Sequence, residues 1–309
     1  LIFYFMKTDW FLIINPTSGN GKSKKNWKRI SDELKNQNIL FSFAFTKYSN
    51  HEEILVKNAI KNGFTKIISV GGDGTLHHVV NGIMKQNLVE TNSIQLAVIP
   101  IGTGNDWIKT YNISAKIEKS ILIIKKGKSV LQDIGKLTSK NNTITYFNNV
   151  GGIGYDGYVV SKLKKLKRFG GIAYLLSGLA GLLLYKPVDF IIEINGKKIQ
   201  EKCLMVIFGI CKFSGGGMQF TKDINPSDGL FDITVAKNLT LFDMILNLPK
   251  LYNGKIVNHK KVTTYKTDVI KITPKLTSEK PFIQTDGELI ATGSIKVAIV
   301  KKAIRFIIP

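Results

Sequence analysis

Three short glycine-bearing segments in the first third of the chain have the side chains and the spacing to hold phosphate. They are NPTSGNG at 15–21, GGDGT at 71–75 and PIGTGND at 100–106. Glycines let the main chain approach a bound polyphosphate, and the N–H groups at the start of a following helix donate to it. One such segment is weak evidence, because glycines also make tight turns. Three of them, each after a strand-like run, predict a nucleotide site.

The polar side chains of the second and third segments indicate what such a site binds. A bare carboxylate at Asp73 would repel phosphate, so it is better suited to Mg²⁺ or to a ribose hydroxyl. Thr103, Asn105 and Asp106 supply a hydroxyl, an amide and a carboxylate, the groups that orient the phosphates of a Mg-nucleotide. The alternative for Asp106 is a helix N-cap.

Two familiar phosphate-binding patterns are disfavoured. The stretch IINPTSGNGKS at 13–23 ends like a Walker A loop, but Pro16 stands where that loop needs its first glycine, and proline donates no N–H. We therefore expect a helix start at this point, with Lys22 in solvent. The dinucleotide pattern G-x-G-x-x-G fails at its third glycine, where His77 and Trp107 stand.

The elements that must position these residues alternate along the chain. Segments with helical periodicity separate the apolar runs, and the segment 22–37 places Trp27, Ile30 and Leu34 on one face. Strands that alternate with helices predict a parallel sheet covered on both sides, with ligands outside the carboxyl ends of its strands. The runs are FLII at 11–14, LFSFAF at 40–45, KIISV at 66–70 and QLAVI at 95–99.

After about residue 130 strand-like runs follow one another, with a hairpin signal at Asn195-Gly196 between DFIIEI and KKIQEKCLMVIF. This part is therefore predicted to be β-rich and antiparallel. Its last run, at 294–309, could close this part or return to the first. Residues 162–185 have a basic start and an uncharged apolar continuation. They predict either a helix that meets an apolar ligand or the bilayer, or a helix packed on the sheet.

Composition limits the class of protein. The chain of 309 residues is long enough for two domains, and 44% hydrophobic with 21% charged residues argues against disorder. A formal charge of +22 favours polyanionic partners, namely nucleotides, nucleic acid or an anionic bilayer, although part of it can be solvated surface. Cys203 and Cys211 match no metal or redox spacing, which indicates a reducing cytoplasm. We see no signal peptide and expect Met6 to be the natural start.

Taken together, the motifs resemble a known family. NPTSG, GGDGT and GTGND, in this order and at these spacings, are similar to the catalytic region of diacylglycerol kinases, shared with sphingosine and ceramide kinases and bacterial lipid kinases. The resemblance covers nearly the whole chain. It continues through FNNVGGIGYDG at 147–157, SGGGMQF at 214–220, INPSDGLFDI at 224–233 and TDGE at 285–288.

The resemblance implies an architecture and a nucleotide site. The first domain, over 6–128, is expected to be an α/β domain with a parallel sheet of the NAD kinase and diacylglycerol kinase type. A β-rich antiparallel sandwich for the lipid substrate follows over 129–294, and 295–309 return to the first domain. ATP is expected in the cleft between the domains. The implied nucleotide contacts, to which the chemistry above adds the last two, are Asn15, Thr46, Gly71, Gly72, Asp73, Gly74, Thr75, Thr103, Asn105 and Asp106.

Two further sites in the second domain follow from the resemblance. Asp228 matches the carboxylate of a structural Mg²⁺ site whose other protein ligands are main-chain carbonyls, here those of Asn225 and Leu230. The catalytic Mg²⁺ would arrive with ATP. The TDGE segment carries the general base that takes the proton of the lipid hydroxyl, and we favour Asp286 over Glu288. From the residues alone, the alternative is that both are turn residues before a strand.

One departure concerns the nucleotide site. Relatives often continue GGDGT with a small apolar residue and then Asn-Glu, where this chain has Leu76-His77-His78. Adjacent histidines on a helix point in different directions, so they do not predict a metal pair, and the missing Glu leaves the strength of ATP binding open. Lys222 also replaces a proline that is common before the Mg²⁺ loop.

The sequence therefore predicts an ATP-dependent lipid kinase that phosphorylates diacylglycerol or a related lipid such as a sphingoid base. It would be cytoplasmic and peripheral on the inner membrane face, with the lipid substrate and anionic lipid as partners. No basic and aromatic pattern for nucleic acid is present, and a homodimer stays open. The alternatives are a soluble small-molecule kinase of the NAD kinase type and, less favoured, a non-enzymatic basic protein that binds polyanions. The sequence does not name the lipid.

Overall fold

The computed structural model describes residues 9–102, 104–163, 181–182, 184–237, 239–275 and 280–309. Thr103, most of the segment 162–185 and the residues around Met6 lie outside these ranges, and so do the expectations that rest on them. The chain divides into two compact units, residues 1–132 with 302–309, and residues 133–301. No helix within the described ranges is both long and apolar enough to cross a bilayer.

The first unit is built on a parallel sheet, as the alternating pattern predicts. All four apolar runs form strands: β1 (Trp10–Ile14), β2 (Phe41–Phe45), β3 (Lys66–Gly71) and β4 (Gln95–Pro100). Their order across the sheet is β2, β1, β3, β4, and every neighbouring pair is parallel. The carboxyl ends of the four strands, each followed by one of the expected site segments or by Thr46, therefore lie along one edge.

The described part of the first unit has six α-helices, four between these strands and two after β4. They are α1 (Lys22–Lys25), α2 (Trp27–Asn36), α3 (His51–Lys61), α4 (Asp73–Lys85), α5 (Asp106–Thr110) and α6 (Ile117–Lys126). The helix predicted over 22–37 is present but interrupted at Asn26, whose side chain donates to a main-chain carbonyl of the preceding turn. Ile30 and Leu34 are fully buried in one apolar cluster with Leu12, so the predicted buried face is confirmed.

The second unit consists of antiparallel strands, which confirms the predicted β-rich domain. One sheet has the order β12, β11, β10, β7, β14, β15; in the other, β9, β8, β13 and β16 follow one another and β5 pairs with β6. The strands are β5 (Ser129–Ser139), β6 (Ile144–Phe147), β7 (Val150–Gly154), β8 (Val188–Ile194), β9 (Lys197–Cys203), β10 (Met205–Gly209), β11 (Phe231–Ala236), β12 (Val262–Thr267), β13 (Val269–Pro274), β14 (Phe282–Thr285), β15 (Glu288–Thr292) and β16 (Ile295–Ile307).

Aromatic side chains join the two sheets of the second unit. The ring centroid of Phe147 on β6 lies 5.5 Å from that of Phe208 on β10 and 5.9 Å from that of Phe231 on β11. All three rings are fully buried, so they form the centre of the sandwich. The helices of this unit whose bounds lie in the described part include α7 (Tyr155–Leu163), α8 (Leu241–Leu246), α9 (Leu248–Tyr252) and a 3₁₀-helix (Lys255–Asn258).

Two strand boundaries refine the sequence-based assignment. The hairpin at Asn195-Gly196 is present, with φ of 50° and 71°, as a type I′ turn requires. The run KKIQEKCLMVIF, however, is two strands, because the chain leaves one sheet and enters the other at Leu204. The last run, at 294–309, combines the two alternatives, because one part pairs within the second unit and the other returns to the first. Residues of β16 from Ile295 to Ala298 pair with β13, whereas Arg305 and its successor pair with β4.

Candidate active site

The first site segment follows β1 and is held by the side chain of Asn15. The side-chain oxygen Oδ1 of Asn15 accepts from the main-chain N–H of Thr17 at 3.1 Å and from its hydroxyl at 2.8 Å. The Asn15 amide donates to Glu52 Oε1 at 3.4 Å, and Glu52 is a buried residue in the first turn of α3. Sequence reasoning missed Glu52, because an acidic residue at a helix start is unremarkable by pattern.

The GKS end of this segment is a helix start, as the sequence predicts. Gly21 has φ of 81° at the N-cap position of α1, and the helix begins at Lys22. Lys22 is exposed, whereas Ser23 is fully buried. The expected helix start with Lys22 in solvent is therefore present.

The second segment, GGDGT, turns directly from β3 into α4. Gly72 is the N-cap residue, and Asp73, Gly74 and Thr75 form the first turn of the helix. Thr75 is buried, and its hydroxyl lies 3.3 Å from the hydroxyl of Ser18 in the first segment. The two segments thus place two hydroxyl groups side by side at the N-terminus of a helix of 13 residues.

Asp73 accepts hydrogen bonds from the third segment. Its Oδ2 receives the main-chain N–H of Asp106 at 2.8 Å and its Oδ1 that of Trp107 at 3.4 Å. The two segments also touch through glycines, since a Cβ on Gly102 would stand 2.7 Å from the Cα of Gly72. The Asp73 carboxylate therefore caps α5 from outside that helix and joins the second and third segments.

The third segment carries Asn105 and Asp106 in different roles. Asn105 is the N-cap residue of α5, with φ of 44°, and its amide donates to the carbonyl of Gly102 at 3.1 Å. Asp106 is the first helical residue, is buried, and forms an ion pair with Lys109 at 2.6 Å. The alternative interpretation of Asp106 as an N-cap is wrong by one position, because Asn105 stands there and Asp73 supplies the carboxylate.

The remaining predicted residues of the first unit lie near these segments. Thr46 follows β2, is nine-tenths buried, and its N–H donates to the carbonyl of Ile14 at 2.8 Å. His77 is buried on α4, where its Nε2 lies 3.3 Å from the amide of Asn81 and its ring meets that of His78 edge-on. His77 is therefore packed into the unit as a core residue of α4.

The predicted base segment of the second unit forms a tight hairpin. Asp286 and Gly287 have φ of 53° and 80° between β14 and β15, which makes a type I′ turn. Asp286 Oδ2 accepts the N–H of Asn148 at 3.2 Å, and Oδ1 accepts that of Asn149 at 3.0 Å. The N–H of Asp286 donates to the carbonyl of Val150 at 2.9 Å. Asp286 thereby fastens the hairpin to the start of β7.

Glu288 lies just beyond this turn, as the first residue of β15. Its main chain pairs with Thr285 across the hairpin, and its side chain is half-buried. The turn has a second support, because the side-chain oxygen Oε1 of Gln284 accepts the N–H of Gly287 at 2.9 Å and the Gln284 side-chain amide donates to Asp156. Glu288 is thus presented by a turn that is fixed on both sides.

Asp156 is a carboxylate that sequence reasoning did not single out. It lies in the first turn of α7, and burial raises its pKa to about 6, although the hydrogen bond from Gln284 works to lower it. The sequence contained a signal for it, since Asp156 belongs to the stretch FNNVGGIGYDG. Its hydrogen-bond partner Gln284 also supports the Asp286–Gly287 turn, and a carboxylate with a perturbed pKa is a candidate functional residue.

The predicted Mg²⁺ loop does not fit a divalent ion. Asp228 Oδ1 accepts the N–H of Leu230 at 3.0 Å, and Oδ2 accepts the ammonium of Lys266 at 3.0 Å. The carbonyl of Asn225 accepts the N–H of Asp228 at 3.3 Å. Mg²⁺ requires near-octahedral oxygen ligands at about 2.0–2.1 Å, and here a positive charge already contacts the only predicted carboxylate ligand. The positive charge of Lys266 at Asp228 is thus inconsistent with the predicted Mg²⁺ site.

A further buried carboxylate, Asp133 on β5, supports the same loop. Its Oδ2 accepts the N–H of Gly229 at 2.6 Å, and its N–H donates to the carbonyl of Pro226 at 2.8 Å. Sequence reasoning missed Asp133, because it sits in an ordinary strand pattern almost one hundred residues before the loop.

Comparison with known proteins agrees with this organisation. The model of the diacylglycerol kinase catalytic domain matches residues 9–137, and that of the YegS C-terminal NAD kinase beta sandwich-like domain matches residues 149–308. YtlR of Bacillus subtilis strain 168 is 30% identical over 308 residues, 94% of this chain and 96% of that protein. The diacylglycerol kinase of the same organism is 30% identical over 284 residues, 90% of this chain and 88% of that protein.

Solved structures show the same fold. A crystal structure described as a diacylglycerol kinase from Bacillus anthracis strain Sterne superimposes with a TM-score of 0.73 at 20% identity. The superposition covers 98% of this chain and 97% of that one.

Proposed function

Because the chain belongs to the diacylglycerol kinase catalytic-domain family, we propose that it transfers the γ-phosphoryl group of ATP to the hydroxyl of diacylglycerol or a related lipid. The proposal rests on two groups of residues, one in each unit, that the structure holds in fixed positions. The first unit gathers three glycine-bearing segments at one sheet edge, and the second holds a carboxylate on a turn fixed by two supports.

The first unit has the groups that nucleotide phosphates require. The N-terminus of α4 and the hydroxyls of Ser18 and Thr75 are donors for anionic oxygens, and Asn15 is held in one orientation beside them. When bound, ATP with Mg²⁺ supplies the transferable phosphoryl group and screens its charge. Asp73 and Asp106 are the carboxylates of these segments, and we assign them to the Mg²⁺ that accompanies ATP.

We assign the general base to Glu288, not to Asp286. A base must be able to accept the proton of the lipid hydroxyl, within about 2.6–3.2 Å of it. Both oxygens of Asp286 accept main-chain N–H groups, which gives this carboxylate a structural role in the turn. Glu288 is carried by that turn and takes the proton as the phosphoryl group moves.

Phosphate transfer from radiolabelled ATP to dispersed lipid tests the function. The panel contains diacylglycerol, sphingosine, ceramide, undecaprenol and phosphatidylglycerol, with NAD as a soluble acceptor. We expect labelled product with diacylglycerol or a sphingoid base and none with NAD. Label on NAD alone would establish a soluble small-molecule kinase instead, and no label on any acceptor would refute the proposal.

Association with a membrane surface follows from the same proposal. Helix α8 exposes Phe242, Ile245 and Leu246 by 70%, 50% and 61%, in a chain whose formal charge is +22. Apolar side chains on a short helix of a basic protein suit an anionic bilayer face. The helix itself is held by a capping box between Thr240 and Asp243.

Vesicle flotation tests this surface. With phosphatidylglycerol vesicles, Phe242→Ser combined with Ile245→Ser should lose most of its binding, whereas Leu88→Ser should float like the parent protein. Leu88 is an exposed apolar residue of the first unit and serves as the matched control. Equal flotation of all three proteins would contradict the assignment of α8.

A further inference from the structure

We propose that the ammonium group of Lys266 performs in this chain the structural task of a divalent cation, so that the loop 223–230 folds without a bound metal. The inference concerns the chain's own residues and does not depend on the kinase reaction.

The geometry around the Lys266 ammonium is that of a cation site. Its Nζ lies 2.8 Å from the main-chain carbonyl of Asp223, 3.0 Å from Asp228 Oδ2 and 3.6 Å from Asp232 Oδ2. One carbonyl and two carboxylates are the oxygen ligands that a hard cation takes from a protein. They come from both ends of the loop, so a single positive charge closes it.

The pairing of β11 with β12 places Lys266 at this position. Lys266 on β12 stands directly opposite Asp232 on β11, where opposite charges stabilise a strand pair. Asp232 is buried, and a buried carboxylate is costly unless it is paired. Partial burial works to lower the pKa of Lys266, but the hydrogen bond to Asp228 and the charge of Asp232 raise it above its ordinary value.

The loop backbone depends on the carboxylate that Lys266 holds. Asp228 Oδ1 accepts the N–H of Leu230, and the neighbouring Gly229 donates to Asp133. A divalent ion on Asp228 would stand next to the ammonium group, and the two like charges would repel each other. Lys266 and a metal therefore exclude one another at this loop.

Thermal unfolding without nucleotide or lipid tests the inference. In EDTA, we expect Lys266→Met to unfold about 2–6 °C below the parent protein and to recover in millimolar Mg²⁺. The parent protein should be unaffected by Mg²⁺. Lys271→Met is the matched control, because Lys271 on the next strand pairs with the exposed Glu193 at 3.2 Å. If Mg²⁺ fails to raise the transition of a folded Lys266→Met protein, the assignment is overturned.

Binding of Mn²⁺, followed by electron paramagnetic resonance, decides the question even if Lys266→Met does not fold. We expect the parent protein to have no stoichiometric Mn²⁺ site at Asp228, so the Asp228→Asn change should not alter its Mn²⁺ binding. We expect one on Lys266→Met that the additional Asp228→Asn change abolishes. A stoichiometric site on the parent protein that is lost in Asp228→Asn would show that a metal, not Lys266, closes the loop.

Discussion

Two aspartates, one in each unit, stand in Asp-Gly motifs and share one arrangement. Asp73 accepts two successive main-chain N–H groups, those of Asp106 and Trp107. Asp286 accepts two successive main-chain N–H groups as well, those of Asn148 and Asn149. Each aspartate connects its own turn to a segment that is distant in sequence.

The two differ in what they fasten. Asp73 caps the short helix α5 and brings two loops of the parallel sheet together, whereas Asp286 pins a type I′ hairpin to the start of a buried strand. A motif aspartate can therefore be required for activity because it shapes the site. In the proposed reaction, the side chains next to it, Thr75 and Ser18 in one unit and Glu288 in the other, meet the substrates.

Removing the Asp73 carboxylate should have the largest effect. Asp73→Ala deprives α5 of its cap, which costs about 1–2 kcal/mol, and separates the two loops, so that ATP binding and phosphate transfer are lost. Calorimetric titration with ATP and thermal unfolding measure both effects. Asp32→Ala, at an exposed carboxylate of α2, should change neither. Normal ATP affinity in Asp73→Ala would refute the role given to this residue.

Asp156 offers a test of the second unit through pH. Burial raises its folded-state pKa to about 6, so the folded protein binds more protons than the unfolded chain between about pH 4 and pH 6. Stability therefore falls as pH rises through this window, and the full cost is present above it.

Replacing that carboxylate should remove the pH dependence. Asp156→Asn keeps an acceptor for Gln284 and should raise the unfolding free energy at pH 7 by about 1–3 kcal/mol, discounted for partial exposure. Denaturant unfolding across the window measures it, with Asp189→Asn, at an exposed position of β8, as the control. An unchanged pH slope in Asp156→Asn would contradict the account.

The smallest effect is expected at Lys22. This exposed residue begins α1 and has no place in the proposed nucleotide site. Lys22→Ala should change stability by less than about 0.5 kcal/mol and phosphate transfer by no more than about twofold. A loss of ATP affinity comparable to that of Asp73→Ala would revive the Walker A interpretation.

The fold was predictable where local patterns determine it. The four apolar runs of the first unit and the Asn195-Gly196 turn are read from apolar periodicity and turn chemistry, and all are present. The sequence did not predict where two of these elements are interrupted. Asn26 interrupts a helix through its own side chain, and Leu204 divides one apolar run between two sheets.

The motifs named aspartates of the candidate site, but they did not predict the hydrogen bonds and ion pairs that each aspartate makes. The motifs named Asp73, Asp228 and Asp286, but the partners that define their roles lie 33, 38 and 138 residues away. Neither residue periodicity nor motif spacing predicts contacts between residues so far apart in the sequence. Lys266 shows this most clearly, because a lysine in a strand gives no sign that its ammonium closes a loop.

The most direct measurement compares Glu288→Gln with Asp286→Asn in the same phosphate-transfer assay, with thermal unfolding of each protein alongside. Loss of a general base costs about 10²–10⁴-fold in rate. We therefore predict such a loss for Glu288→Gln with an unchanged unfolding temperature. For Asp286→Asn, an amide that faces a main-chain N–H should lower stability by about 1–3 kcal/mol, and activity should fall with it. A stable Asp286→Asn protein without activity, beside an active Glu288→Gln protein, would contradict the account.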